Sequence, residues 1–198
     1  MRHRRTRQAG WSLVELVMVI GVSLVVGSLA LAAFAPLGAR ARALGAARAL
    51  SASLQRERIE AVRTGRVCGF YFEDDGSSIG FWPVADGNGN GLRAADIAAG
   101  SDPVRGPRRR LADDFAGVRF AIDDDLPAIE GGPGLDAGSD PVRLGGSVLA
   151  FSPAGSATSG TLYLASEDGG QFAVRILGAT GRVRLFELDR ARGRWLPR

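Results

Sequence analysis

One stretch limits what this chain can fold into more than any other: from Leu16 to Ala39 it carries no charged residue. At roughly 1.5 Å per residue such a run reaches about 36 Å as a helix, enough to cross a hydrocarbon core of roughly 30 Å. The run predicts a membrane-spanning helix over about 14–37. A carboxylate, Glu15, stands at its entrance, and a glycine, Gly10, separates that entrance from a leader carrying Arg2, Arg4, Arg5 and Arg7. A bare anchor needs neither. An acid in a membrane helix costs about 2.5 to 3.5 kcal/mol at mid-span and less near the interface, so Glu15 calls for a partner. A chain cut after Gly10 would supply one, because the new amine of Trp11 lies one helical turn from Glu15.

The string Gly10-Trp11-Ser12-Leu13-Val14-Glu15-Leu16 resembles the type III signal of type IV pilins and type II secretion pseudopilins. That resemblance implies cleavage by a prepilin peptidase between Gly10 and Trp11 and N-methylation of Trp11. It also implies an assembly role for Glu15, fifth in the mature chain. Trp11 stands where the family usually has Phe. Two plainer readings stay open, a secretory signal peptide and an unprocessed signal anchor on a β domain that binds something else. Ala30-Leu-Ala32 and Ala33-Phe-Ala35 fit a small-x-small cleavage pattern, but the run is longer than a typical apolar region of 7 to 15 residues and starts with an acid.

Charge follows the same division. The net charge is +4 with 21 acidic residues, all beyond the leader, and removing the four leader arginines leaves a mature chain that is formally neutral. The leader obeys the positive-inside rule, which predicts a cytoplasmic N-terminus, an inner-membrane span and a periplasmic C-terminal domain. Every basic residue is arginine. Cys68 is the only cysteine, so no intramolecular disulfide can form, and it reads as a small apolar strand residue.

Beyond the apolar run a helical pattern continues to about Arg63, giving an N-terminal helix over 11–63 that ends at Thr64-Gly65. Leu44, Ala47, Ser51, Leu54 and Val62, with Ile59 beside them, mark the stripe expected to be covered. The remainder, 64–198, reads as an antiparallel β domain with long loops at 85–117 and 123–146. Val67 to Phe72 and Ile79 to Val84 form a strand pair, and Val118 to Ile122 a lone strand. Val148 to Ser152, Thr161 to Ser166, Phe172 to Leu177 and Val183 to Leu188 form a four-strand meander. The seven residues Ala99 to Arg105 recur as Ala137 to Arg143. The fold class is α+β, a long N-terminal helix whose second half covers the apolar face of an antiparallel sheet.

Leu50 to Arg63, then Phe151-Ser-Pro-Ala-Gly155 through Thr180-Gly-Arg-Val-Arg184, resemble the GspH/FimT family of minor pseudopilins and minor pilins. The resemblance implies a pilin-like fold and a structural role in a pseudopilus or pilus. Its implied partners are the prepilin peptidase, other pseudopilins or pilins along the helix, and inner-membrane lipid. Gly181-Arg182-Val183-Arg184 also resembles a Gly-Arg-x-Arg element of minor pilins that serve DNA uptake, with Arg182 and Arg184 on one side of a strand.

Enzyme chemistry finds little to use. The single histidine, His3, lies in the leader, so the mature chain has none for a triad, and one cysteine cannot build a zinc site. No cofactor is expected. Asp86, Asn88 and Asn90, followed by Gly91, fit the start of a calcium loop, but Ile97 occupies the twelfth position where a bidentate acid belongs.

Overall fold

Leucine, alanine and arginine without an interior proline favour an uninterrupted helix beyond the membrane run. In the computed structural model, which describes residues 12–129 and 133–198 and only the backbone of 29–37, helix α1 spans Leu13–Thr64. Gly65 follows with φ 67°, the left-handed residue that stops a helix, as expected. The chain divides into two units, Met1–Gly38 and Ala39–Arg198. In the first, the apolar side chains from Leu13 to Val26 stand exposed around the helix. Among the described residues no helix is long and apolar enough to cross a membrane; the run expected at 14–37 has described side chains only as far as Ser28.

In the second unit, α1 buries Ala43, Ala47, Leu50, Leu54, Glu57 and Ala61, with Ala46 beside them. The intervals alternate between four and three, which keeps one stripe of a 3.6-residue helix in line. This corrects the expected stripe at its end: Ile59 and Val62 are 66% and 59% exposed. The acid at 57 interrupted the apolar pattern and drew the reading onto Ile59 and Val62, two residues of the opposite side.

Strands β1 (Cys68–Asp74) and β2 (Ile79–Ala85) pair as the expected hairpin. Two short helices, α2 (Ala94–Ala98) and α3 (Leu111–Asp114), interrupt the first long loop, and β3 (Val118–Phe120) follows. Next come β4 (Val142–Arg143), β5 (Val148–Phe151), β6 (Gly160–Ser166), β7 (Gln171–Leu177), β8 (Arg182–Asp189) and β9 (Arg194–Pro197). The first sheet has the order β2-β1-β5; the second has β3-β6-β7-β8-β9, with β4 also on β6.

The meander is therefore shifted by one strand. β5 leaves it to pair with β1, and β9, which the sequence reading did not assign, completes it. Gly69 permits the β1–β5 approach, since a Cβ there would collide with the carbonyl oxygen of Leu149. The second sheet is apolar on both faces, where one was expected. Leu162, Leu164, Phe172, Val174, Ile176 and Leu185 pack in one core with the α1 stripe. Tyr163, Ala173 and Phe186 pack on the other face with Ile122, Leu126, Ile129 and Leu135. The described part of the loop at 123–146 is thus a cover, held by Leu126, Ile129 and Leu135. A cluster of Phe70, Phe72, Phe81 and Phe120, with ring centroids 5.6 to 5.9 Å apart, joins the two sheets.

The repeated heptapeptide does the same job twice. In each copy the glycine, Gly100 or Gly138, has φ 77°. In each, the proline carbonyl accepts a sheet amide: Pro103 from Ala85 at 3.2 Å and Pro141 from Tyr163 at 2.9 Å. Val104 then bridges to Val84 of β2, and Val142 pairs with Leu162 of β6. Each copy lays a short clip along a strand edge that would otherwise expose unpaired amides.

Truncating Leu54, which is fully buried, tests the corrected stripe. Leu54→Ala in the full chain should cost about 2–5 kcal/mol in urea unfolding. Ile59→Ala and Val62→Ala should stay within about 0.5 kcal/mol.

Candidate assembly and binding sites

Gly10 and Trp11 lie outside the described residues. Glu15 lies in the first turn of α1, where a carboxylate meets the positive end of the helix, and it stands exposed among Leu13, Val14, Leu16 and Val17. An acid set in an apolar collar suits a contact that another chain completes.

Two buried carboxylates tie the helix to the β domain. Glu57, buried in the α1 stripe, pairs with Arg105 of the first heptapeptide copy; Glu60, one turn on, lies 3.7 Å from the same guanidinium. Burial pushes the Arg105 guanidinium down from its ordinary value. Glu187 of β8, also buried, accepts from Arg40 Nε at 2.6 Å and from Arg198 Nε at 2.7 Å. None of these acids carried a motif. The missed signal was spacing: Glu57 falls in register with Leu50, Leu54 and Ala61.

Arg182 and Arg184 are both exposed and, by alternation, share the face of β8 that looks away from α1. They are not equivalent. The Arg184 guanidinium lies 5.8 Å from the Phe186 ring centroid, and its backbone is in register with Arg175 on β7.

The calcium-like segment is built as a turn closed on itself. Asp86 accepts amides from Gly89 at 2.7 Å and Gly91 at 2.9 Å, Asn88 accepts the Asn90 amide at 3.1 Å, and the Asn90 side chain donates to Asp96 at 3.0 Å. Fully buried Asp102 takes the Gly87 and Arg93 amides at 3.0 and 3.2 Å. The Asp86 and Asn88 oxygens that a cation would need already accept backbone amides. Among the described residues no three His, Cys, Asp or Glu side chains gather where they could hold a metal ion. Cys68 is buried, and that burial raises its thiol away from the reactive range.

A long helix whose second half is laid on antiparallel sheets defines a pilin-like α+β protein. The family model described as type II transport protein GspH matches residues 46–181, and the chain belongs to that family. This places it among the pseudopilins of type II secretion, structural components of the cell envelope that interact with other pseudopilins. No curated protein and no solved structure matches the chain.

Two mutations test the fasteners. Glu57→Ala should lower stability by about 1–3 kcal/mol in urea unfolding, because it leaves Arg105 partly buried with only the longer contact to Glu60. At the β1–β2 turn, hydrogen bonds from the Ser77 hydroxyl and the Ser77 and Ser78 amides, with Arg110, hold the Asp75 carboxyl well below its ordinary 3.8. The unfolded state then binds more protons than the folded one at acid pH. That share of stability is complete above about pH 5 and is lost as pH falls below 4. Thermal unfolding of Asp75→Asn followed between pH 6 and 2.5 should therefore show a shallower acid loss than the parent chain.

Proposed function

We propose that this chain is a minor pseudopilin, made as a prepilin and built through its N-terminal helix into the pseudopilus of a type II secretion system. The observation that carries the reading is the match of the β domain and helix to the GspH family, joined to the Gly10–Glu15 signal ahead of it. Residues 1–10 are the leader, removed between Gly10 and Trp11, and Trp11 is N-methylated. The segment at about 14–37 crosses the inner membrane, and the domain from Ala39 onward lies in the periplasm. Glu15 meets the amine of a neighbouring subunit, which offsets the cost of an acid in lipid.

A second reading is a minor pilin that captures DNA, favoured by the exposure of Arg182 and Arg184 on one strand face. It differs from the first in what the mature protein contacts.

The mass of the N-terminus of membrane-extracted protein, from strains with and without prepilin peptidase, tests the first reading. A chain beginning at Trp11 only when the peptidase is present is the expected result. A chain that keeps Arg2 to Gly10, or begins after Ala32 or Ala35, overturns it. Glu15→Ala should abolish incorporation into the pseudopilus and reduce secretion while leaving the protein in the membrane. For the second reading, the Arg182→Ala, Arg184→Ala double variant should lose DNA retention in a salt-dependent assay; unchanged retention rejects it.

A further inference from the structure

The second sheet ends unevenly at β9. That strand pairs with β8 only from Phe186 to Asp189, and the Arg198 amide closes the ladder by donating to the Leu185 carbonyl at 3.0 Å. Backbone groups alternate sides along an antiparallel strand, so the amide and carbonyl of Val183 point the same way as those of Leu185, to the flank that β9 no longer covers. Among the described residues neither group has a backbone partner. Elsewhere the chain closes such flanks: one heptapeptide copy lies along β2, the other along β6, and Pro197 removes an outward amide from β9 itself.

A cleft of about 460 Å³ opens beside this flank, between β8 and α1. Ser51, Ala52 and Gln55 form its helix wall, and Val183 and Leu185, both packed on the main core, form its sheet wall. Arg48 stands exposed at its rim, and Arg58, ten residues on, lies against Gly181 at the start of β8. At 1.5 Å per residue the two are about 15 Å apart along the helix, the reach of four or five extended residues. Arg182, next to the open amide, is exposed on the face of β8 away from α1. Arg48, Arg58 and Arg182 form no ion pair among the described residues, and the described lining of the cleft holds no carboxylate.

We propose that this flank receives an extended acidic segment of another protein, added as a strand to β8 at Val183. Alternation divides the side chains of such a strand between two faces. One set, small and apolar, enters the cleft against Ala52 and Val183; the other carries carboxylates past Arg182, with Arg48 and Arg58 at the rim. Arg184, held against the Phe186 ring, is not needed. Main-chain bonds to the open edge supply affinity and the alternate side chains supply choice. Nucleic acid offers phosphates to the same arginines but no row of amides and carbonyls for a strand edge, so the open backbone of Val183 favours a peptide. The site lies wholly within Ala39–Arg198, goes beyond the pseudopilin reading, and would persist in an unprocessed chain.

The test titrates the full chain in detergent with four fluorescent probes: the acidic peptide acetyl-Glu-Val-Glu-Val-Glu-amide, its neutral Gln-Val-Gln-Val-Gln counterpart, the acidic peptide with both valines N-methylated, and a thymidine oligonucleotide. Anisotropy reads binding, and hydrogen exchange of the Val183 amide, followed by NMR, reads strand pairing. The acidic peptide is expected to bind and to slow exchange at Val183, with the neutral and N-methylated peptides about tenfold weaker or more. The oligonucleotide is expected to leave Val183 exchange unchanged. Arg48→Gln, on an exposed side chain that the DNA reading does not use, should weaken the acidic peptide about threefold to tenfold with an unchanged unfolding transition. Equal binding of the neutral or N-methylated peptide, no binding of the acidic one, unaltered Val183 exchange in its presence, protection of Val183 by the oligonucleotide, or an Arg48→Gln variant that binds as the parent does overturns the proposal.

Discussion

The β domain depends on how closely its sheets can approach α1. Five of the described buried positions on that helix, Ala39, Ala43, Ala46, Ala47 and Ala61, are alanine, and Leu50 and Leu54 supply the large apolar side chains among them. Against this stripe of mostly small residues, Phe151, Phe172 and Leu162 fill the core from the strand side. Dense packing of this kind makes a missing methylene costly, because the surrounding atoms cannot close the gap.

Around that packing the chain uses arginine as its only cationic fastener. Arg105 reaches Glu57 from a loop, and Arg40 and Arg198 reach Glu187 from the helix and the C-terminal strand. The guanidinium keeps its charge when half buried and presents several donors in a fixed plane, so each pair sets an orientation as well as a distance. Such pairs locate loops and termini more than they stabilise the whole, since the cost of drying both charges cancels much of their attraction. Within the unit Ala39–Arg198 the ion pairs hold the second half of α1 to the β domain.

Much of this was legible in the residues. Thr64-Gly65 ended the helix, the acidic and glycine-rich turn at 73–78 made a hairpin, and the runs later seen as β6, β7 and β8 were read nearly to their ends. The GspH relationship was visible in Leu50 to Arg63 and the Gly-Arg-Val-Arg string. Val62 and Ile59 were misread because a buried acid looks like a break in an apolar stripe until its arginine, 48 residues away, is in place. The short β4 and β9 escaped because two to four residues carry no period, and the second apolar face of the sheet escaped because its cover is a loop rich in Gly, Asp and Pro.

The sequence by itself determined the elements whose causes are local: a charge-free run, a helix stop at a left-handed glycine, alternation along a strand, an arginine-rich leader before Gly10. Tertiary structure alone decided that β5 belongs with β1, that Glu57 is core, that the heptapeptide clips two different strand edges, and that β9 leaves the flank of β8 open at Val183. These depend on which distant segments lie side by side. A hydrogen-bond register or an ion pair between residues tens of positions apart is set by the packing of the whole domain, and no local spacing encodes it.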